Sequence, residues 1–110
     1  MTKEDAKRAI TEWMSEEYDE DVREITDADE RIAFAYTEYE GQGDDLFVME
    51  QWRADLNSMT FFCEMNEERV PELDIKFGSF DEMVDSLDFD WLIGEADEYI
   101  REHREQFEEV

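Results

Sequence analysis

The C-terminal part of the chain carries glutamates at regular intervals. Glu95, Glu98, Glu102, Glu105 and Glu109 are separated by 3, 4, 3 and 4 residues. At about 100° per residue, this spacing places the five carboxylates in one stripe along an α-helix. At 1.5 Å rise per residue, the stripe would be about 21 Å long, with a carboxylate roughly every 5 Å. Phosphates on one DNA strand rise about 3.4 Å each, so the stripe predicts a surface for a partner that binds rows of anions.

Two further acidic clusters are candidate contact surfaces. The first lies just before the stripe and comprises Asp81, Asp85, Asp88 and Asp90. Its first three members follow i, i+4 and i+7 and would share a helix face. The second surrounds a predicted turn at 41–44 and comprises Glu38, Glu40, Asp44 and Asp45. Solvated helix faces, caps and charged turns explain any single run of this kind, but acidic runs recur in every segment.

The residues that commonly bind metals or catalyse reactions give little support for either function in this chain. Two Asp-x-Asp segments, beginning at Asp27 and Asp88, start like calcium-binding EF-hand loops but have Ile where the loop requires Gly. One cysteine, Cys63, and one histidine, His103, cannot form a typical zinc site. The chain contains neither a P-loop nor a dinucleotide-binding fingerprint. We therefore expect no metal, no cofactor and no enzymatic activity.

The net charge restricts the class of partner. The chain has 35 Asp and Glu against 10 Lys and Arg, for a formal net charge of -25 in 110 residues. Solubility requires a net charge of only about 2–8 in a small domain. Direct binding to DNA, RNA or an anionic membrane is excluded by repulsion, whereas a basic protein surface would associate rapidly and in a salt-sensitive manner.

The composition is that of a folded domain. Hydrophobic residues make up 41% and aromatic residues 14%, which exceeds the content of a disordered acidic segment. A single cysteine excludes an internal disulfide. The first residues lack the apolar stretch of a signal peptide and no apolar run has the length of a membrane span, so we expect neither feature. We expect one domain over residues 1–110, monomeric or homodimeric. The expected location is the cytoplasm.

Periodicity predicts the elements that position the acidic residues. Thr2 can cap a first helix that ends between residues 14 and 18. Apolar alternation then predicts strands beginning at Arg31, over 46–56 and over 59–65, followed by a short edge strand near 73–77. Ser79 begins a capping box, and Asp90 can cap a last helix that extends to Phe107.

The predicted fold class is therefore α+β, with an N-terminal helix, an antiparallel meander of three to four strands and two C-terminal helices packed on the sheet. If the helices cover only one face of the sheet, an aromatic residue such as Phe62 could lie exposed among carboxylates. Such a mixture is typical of protein interfaces.

In composition and element order the whole chain resembles a class of small acidic proteins from phages and mobile elements that imitate DNA. These antirestriction and anti-CRISPR inhibitors block host defence nucleases. No motif is shared, so no functional residue can be transferred. The resemblance implies that carboxylates fill the basic DNA-binding groove of a nuclease, with a CRISPR effector as the first candidate and a restriction enzyme as the second.

Two other functions fit the same surface. An immunity or antitoxin protein that neutralises a basic toxin would need an equally acidic face. A housekeeping domain of a halophile would carry acidic residues to remain hydrated in brine. A cognate toxin gene beside the gene for this protein would favour the first alternative, and folding at low ionic strength would argue against the second.

Overall fold

The structure is a computed structural model that describes residues 1–17, 22–25, 31–38 and 48–108, with backbone alone at 22–25 and 35–38. The elements in chain order are α1 (Lys3–Glu17), β1 (Val22–Ile25), β2 (Arg31–Glu38), β3 (Val48–Asp55), β4 (Thr60–Met65), β5 (Glu68–Lys76), α2 (Phe80–Asp85), α3 (Phe89–Glu102) and a short 3-10 helix, η1 (Arg104–Gln106). The predicted α+β fold class is confirmed.

The sheet is an antiparallel meander in the order β1-β2-β3-β4-β5. The prediction of three to four strands omitted β1, whose four residues are too few to display a clear alternation. Among the described strands, β1 lies at one edge and pairs with β2, Val22 opposite Phe34 and Ile25 opposite Arg31. β5 forms the other edge and contains Pro71, which agrees with the predicted edge position because proline has no N–H to donate.

One face of the sheet and the helices enclose the core. Residues of β3 alternate between buried and half-buried, and Trp52 and Ala54 are fully buried. Phe61 and Cys63 of β4 are the register partners of Ala54 and Trp52. The same apolar cluster includes residues of α1 and α3, namely Ile10, Met14, Leu92, Ala96 and Ile100. Each large side chain buried here contributes about 1.5–3 kcal/mol.

A capping box begins α1, as predicted. The Thr2 hydroxyl oxygen accepts from the Asp5 N–H (3.2 Å), and the Asp5 carboxylate accepts from the Thr2 N–H (3.2 Å). The hydrogen bond from the Thr2 backbone N–H, followed by a contribution from the Thr2 side chain, lowers the pKa of the Asp5 carboxyl from its ordinary value of 3.8. The resulting stabilisation is present above that value and is lost as the pH falls through the lowered pKa of the folded state.

The caps of the two C-terminal helices agree with the sequence at one position and differ at the other. The Ser79 hydroxyl oxygen accepts from the Glu82 N–H (3.2 Å) and caps α2 as predicted. The prediction that Asp90 caps α3 is wrong, because Asp88 accepts from the Trp91 N–H (3.1 Å) and Asp90 lies in the first turn. Asp88 has the extended backbone that a cap requires (φ -144°, ψ 102°).

Candidate functional site

The predicted glutamate stripe is divided between α3 and η1, so its helical part is shorter than it would be on a single continuous helix. Glu95, Glu98 and Glu102 lie on α3, where Glu98 and Glu102 are exposed and Glu95 is half-buried. Glu105 is exposed but belongs to η1, and Glu109 lies outside the described residues. The helical part of the stripe therefore extends about 10 Å, and the prediction of one straight row of about 21 Å is wrong.

His103 is the C-cap of α3, whose last residue, Glu102, lies five residues before the predicted end at Phe107. Its backbone leaves the helical region (φ -119°, ψ 31°), and both its N–H (2.9 Å) and its ring Nδ1 (3.0 Å) lie within hydrogen-bond distance of the Tyr99 carbonyl oxygen. Since a carbonyl only accepts, Nδ1 carries a proton and donates. The ring stacks on Tyr99 with 4.0 Å between centroids. The chain leaves the α-helix at this residue, and Phe107 reaches the core through η1 instead.

The aspartate cluster is also divided between elements. Asp81 and Asp85 are exposed on α2, which ends at Asp85, while Asp88 and Asp90 are exposed at the start of α3. The predicted i, i+4, i+7 face is therefore wrong, because no single helix carries all three residues. Asp81 lies 3.5 Å from the N-terminal ammonium group. Asp85 and Asp88 nevertheless line one groove, so the turn between the helices brings them together.

The third cluster falls largely outside the described residues. Glu38 is the last residue of β2 and pairs in register with Val48. Its side chain is not described, and Glu40, Asp44 and Asp45 lie outside the described ranges. Their role as contact residues stays a prediction.

Tertiary structure brings one further glutamate, Glu72, next to the glutamates of α3. Glu72 of β5 shares a depression of about 230 Å³ with Glu95, Glu98 and Glu102 of α3. Glu72 is exposed and follows Pro71 on the edge strand. No sequence signal connects it with α3, because the proximity depends on how the helix packs on the sheet.

The acidic helical surface, defined here as the exposed carboxylates of residues 80–108, carries a large unbalanced charge. This segment contains eleven Asp and Glu and two Arg, a difference of nine negative charges. One of the two, Arg104, lies 3.4 Å from Glu108. Seven of the eight predicted contact residues in this segment are exposed. Most of these carboxylates are therefore available to a cationic partner.

The other face of the sheet carries balanced charge instead. Residues that alternate with the core along the strands form three ion pairs there: Arg31 with Asp55 (3.7 Å), Arg53 with Glu64 (2.6 Å) and Arg69 with Asp74 (2.8 Å). Half-buried pairs of this kind hold their charges close together and leave little net field. Within the described residues, the negative surplus is thus greater on the helical side.

Phe62 lies on this balanced face and is not exposed. Only 3% of its surface is accessible, because the Arg69 guanidinium lies 4.2 Å and the Arg31 guanidinium 5.9 Å from its ring centroid. Arg69 also donates to Asp74 from Nε (3.3 Å) and Nη2 (2.8 Å). The interpretation of Phe62 as an exposed interface aromatic is wrong, since cation–π contacts cover it.

Trp91, and not Phe62, is an exposed aromatic side chain beside carboxylates. Its side chain is 48% exposed, and it borders a groove of about 420 Å³ between the helices and the sheet. The lining residues are Phe61, Ile75, Phe77, Asp85, Ser86, Leu87, Asp88, Trp91 and Leu92. The acidic helical surface therefore contains an aromatic and apolar depression beside two carboxylates.

Cys63 is unsuited to nucleophilic chemistry in the folded protein. The side chain is fully buried, and burial raises the pKa of its thiol, with further contributions from the charges of Glu50 and Glu64. The thiolate, which is the reactive form, is strongly disfavoured. In the parts of the chain that the structure covers, no three His, Cys, Asp or Glu residues are arranged to hold a metal ion.

We expect the Cys63 thiol to be unreactive towards a chromogenic disulfide reagent at pH 8 in the native protein, because reaction requires exposure and a thiolate. In about 6 M guanidinium chloride the same thiol should react completely within minutes. Absorbance of the released thiolate measures both rates. A native rate close to the denatured one would contradict the buried position.

None of the helices within the described ranges is long and apolar enough to cross a bilayer. No protein-family model matches the chain, and no curated protein or solved structure is significantly similar to it.

Proposed function

We propose that this protein is a nucleic-acid mimic that binds the basic DNA-binding groove of a host defence nuclease and prevents DNA from entering. A CRISPR effector is the first candidate target and a restriction enzyme the second. The observation that carries the proposal is the uneven distribution of charge among the residues that the structure describes. Residues 80–108 hold eleven carboxylates against two arginines, while three ion pairs neutralise the arginines on the other face of the sheet.

A surface of this charge has the electrostatic properties of a phosphate backbone. The Debye length is about 8 Å at physiological ionic strength, so carboxylates a few ångströms apart act on a partner together. Along α3, Glu95, Glu98 and Glu102 are separated by rises of about 4.5 and 6 Å. A groove whose Lys and Arg side chains are spaced for phosphates could bind these carboxylates through charge-assisted hydrogen bonds.

Rigid packing favours the use of this surface for binding. Leu92, Ala96 and Ile100 anchor α3 in the core, so its carboxylates are held on a fixed scaffold rather than on a flexible tail. Like charges at i, i+4 and acidic residues near a helix C-terminus disfavour the helix itself. Burial of the apolar stripe compensates this unfavourable local arrangement. Hydration in brine needs acidic residues spread evenly over the surface, and it does not require their concentration on one side.

The test is capture of a partner from a bacterial lysate. The immobilised protein should retain a basic DNA-binding protein at about 50 mM salt and release it by about 300–500 mM. The reason is that salt screens each contact between a carboxylate of this protein and a cation of the partner. Mass spectrometry identifies the protein, and a mobility-shift assay then measures whether duplex DNA and this protein compete for it. A circular dichroism spectrum at low salt verifies that the bait is folded.

Three outcomes would contradict the proposal: retention of no basic protein, binding that salt does not weaken, or simultaneous binding of DNA and this protein to the target. Capture of a small basic toxin that does not bind DNA would identify an immunity protein instead. Loss of the folded spectrum at low salt would favour a halophilic domain.

A further inference from the structure

The groove beside Trp91 combines an apolar lining with an exposed aromatic side chain. Its apolar lining includes Phe61, Ile75 and Phe77 from the sheet side and Leu92 from α3. Trp91 forms a wall and remains 48% exposed. The volume of about 420 Å³ lies within the range of about 300–1,000 Å³ that is common for ligand pockets. A large exposed indole beside an apolar depression indicates a place for a side chain from outside.

Carboxylates determine the charge of that side chain. Asp85 and Asp88 line the groove, and Asp90 lies exposed one residue before Trp91. In the described part of the chain, no Lys or Arg forms an ion pair with any of these three aspartates. Asp88 uses Oδ1 to cap α3, and its second oxygen can accept from a partner. An entering side chain therefore has to be cationic at its end and apolar along its length.

Arginine meets both requirements better than lysine. Its three-carbon stem packs on apolar surface while its planar guanidinium stacks on an indole and donates to carboxylates. Lysine is a compact, strongly hydrated charge that stacks less well. Phe62 provides an internal precedent, because Arg69 lies over that ring at 4.2 Å while it donates to Asp74. The groove offers the same combination to a guanidinium from another molecule.

We propose that this groove binds an arginine side chain of the partner protein, with the guanidinium on the face of Trp91 and the carboxylates of Asp85 and Asp88 as acceptors. The choice of partner rests on the proposed function, but the chemistry of the groove does not. Arginine and tryptophan are enriched among residues that dominate binding energy at interfaces. The groove would thus anchor the partner, while the surrounding carboxylates steer it.

The test uses N-acetyl-arginine methylamide as the probe and the full chain labelled with ¹⁵N. The indole N–H signal of Trp91, assigned with the Trp91→Phe variant, should shift saturably with a dissociation constant in the millimolar range. The lysine analogue should bind roughly 5-fold or more weakly, and the norleucine analogue should cause no saturable shift.

Variants localise the contact. Asp88→Asn retains a capping side chain, so it removes charge without removing the cap, and we expect roughly 3-fold or greater weakening of arginine binding. Trp91→Ala should abolish saturable shifts of neighbouring backbone signals in α2 and α3. Glu12→Gln, an exposed change on α1, is the matched control and should leave binding within about twofold.

Equal affinity for the arginine and lysine probes, or unchanged binding in Asp88→Asn and Trp91→Ala, would overturn the inference. The probe experiment separates this inference from the proposed function. Capture of a nuclease without arginine binding in the groove would leave the proposed function standing and refute the groove. Arginine binding without capture of a DNA-binding protein would do the reverse.

Discussion

Replacement of Asp85, Asp88, Glu95, Glu98 and Glu102 by their amides is expected to weaken binding to the captured target by roughly 100-fold or more. Each of these surface charges, four exposed and Glu95 half-buried, contributes about 0.5–1 kcal/mol to a complementary interface, and every 1.4 kcal/mol is tenfold in affinity. The amides retain size and polarity, and asparagine at position 88 still caps α3. Titration calorimetry at two salt concentrations measures the affinity and its salt dependence, which should also decrease.

The matched control removes the same number of charges elsewhere. Glu4, Glu12, Glu16 and Glu17 are exposed on α1, and Glu68 is exposed at the start of β5. Replacing these five by Gln also changes the net charge from -25 to -20, so non-specific attraction decreases equally in both variants. If the control weakens binding as much as the first variant, the total net charge determines the affinity, and the acidic helical surface is not the contact site.

Glu50→Ala is expected to destabilise the fold by about 3 kcal/mol, or about 12 °C in melting temperature for a domain of this size. Glu50 is fully buried on β3, and its Oε1 accepts from the indole N–H of Trp52 at 2.8 Å. Truncation removes the acceptor of a buried donor and leaves a cavity in the core. Thermal unfolding followed by circular dichroism measures the loss.

Glu50→Gln separates the acceptor from the charge at the same position. The glutamine carbonyl oxygen can still accept from Trp52, and the volume is nearly unchanged, so the loss should remain within about 1 kcal/mol. If Gln destabilises as much as Ala, the negative charge itself stabilises the core, and the role given to the hydrogen bond is wrong.

Local chemistry in the sequence was sufficient for much of the fold. Thr2 and Ser79 cap their helices because their side chains reach N–H groups only three residues away. Alternation along Val48, Trp52 and Ala54 identified the buried face of β3. These features depend on contacts between neighbours along the chain or on a period of two or 3.6 residues, so pattern alone determines them. The acidic character of the helical segment follows equally directly.

Tertiary structure decided where charges cancel, where a helix ends and which groups come together across the fold. The apolar pattern continued through His103, yet the backbone leaves the helical region there and α3 ends at Glu102. Phe62 is covered because strand pairing brings Arg69 to it, and Asp85 meets Asp88 beside Trp91 through a turn between two helices. The physical reason is that helical periodicity orders residues along one element, whereas packing determines which elements touch. Composition could therefore indicate a cationic partner, but only the packed fold reveals the groove where an arginine fits.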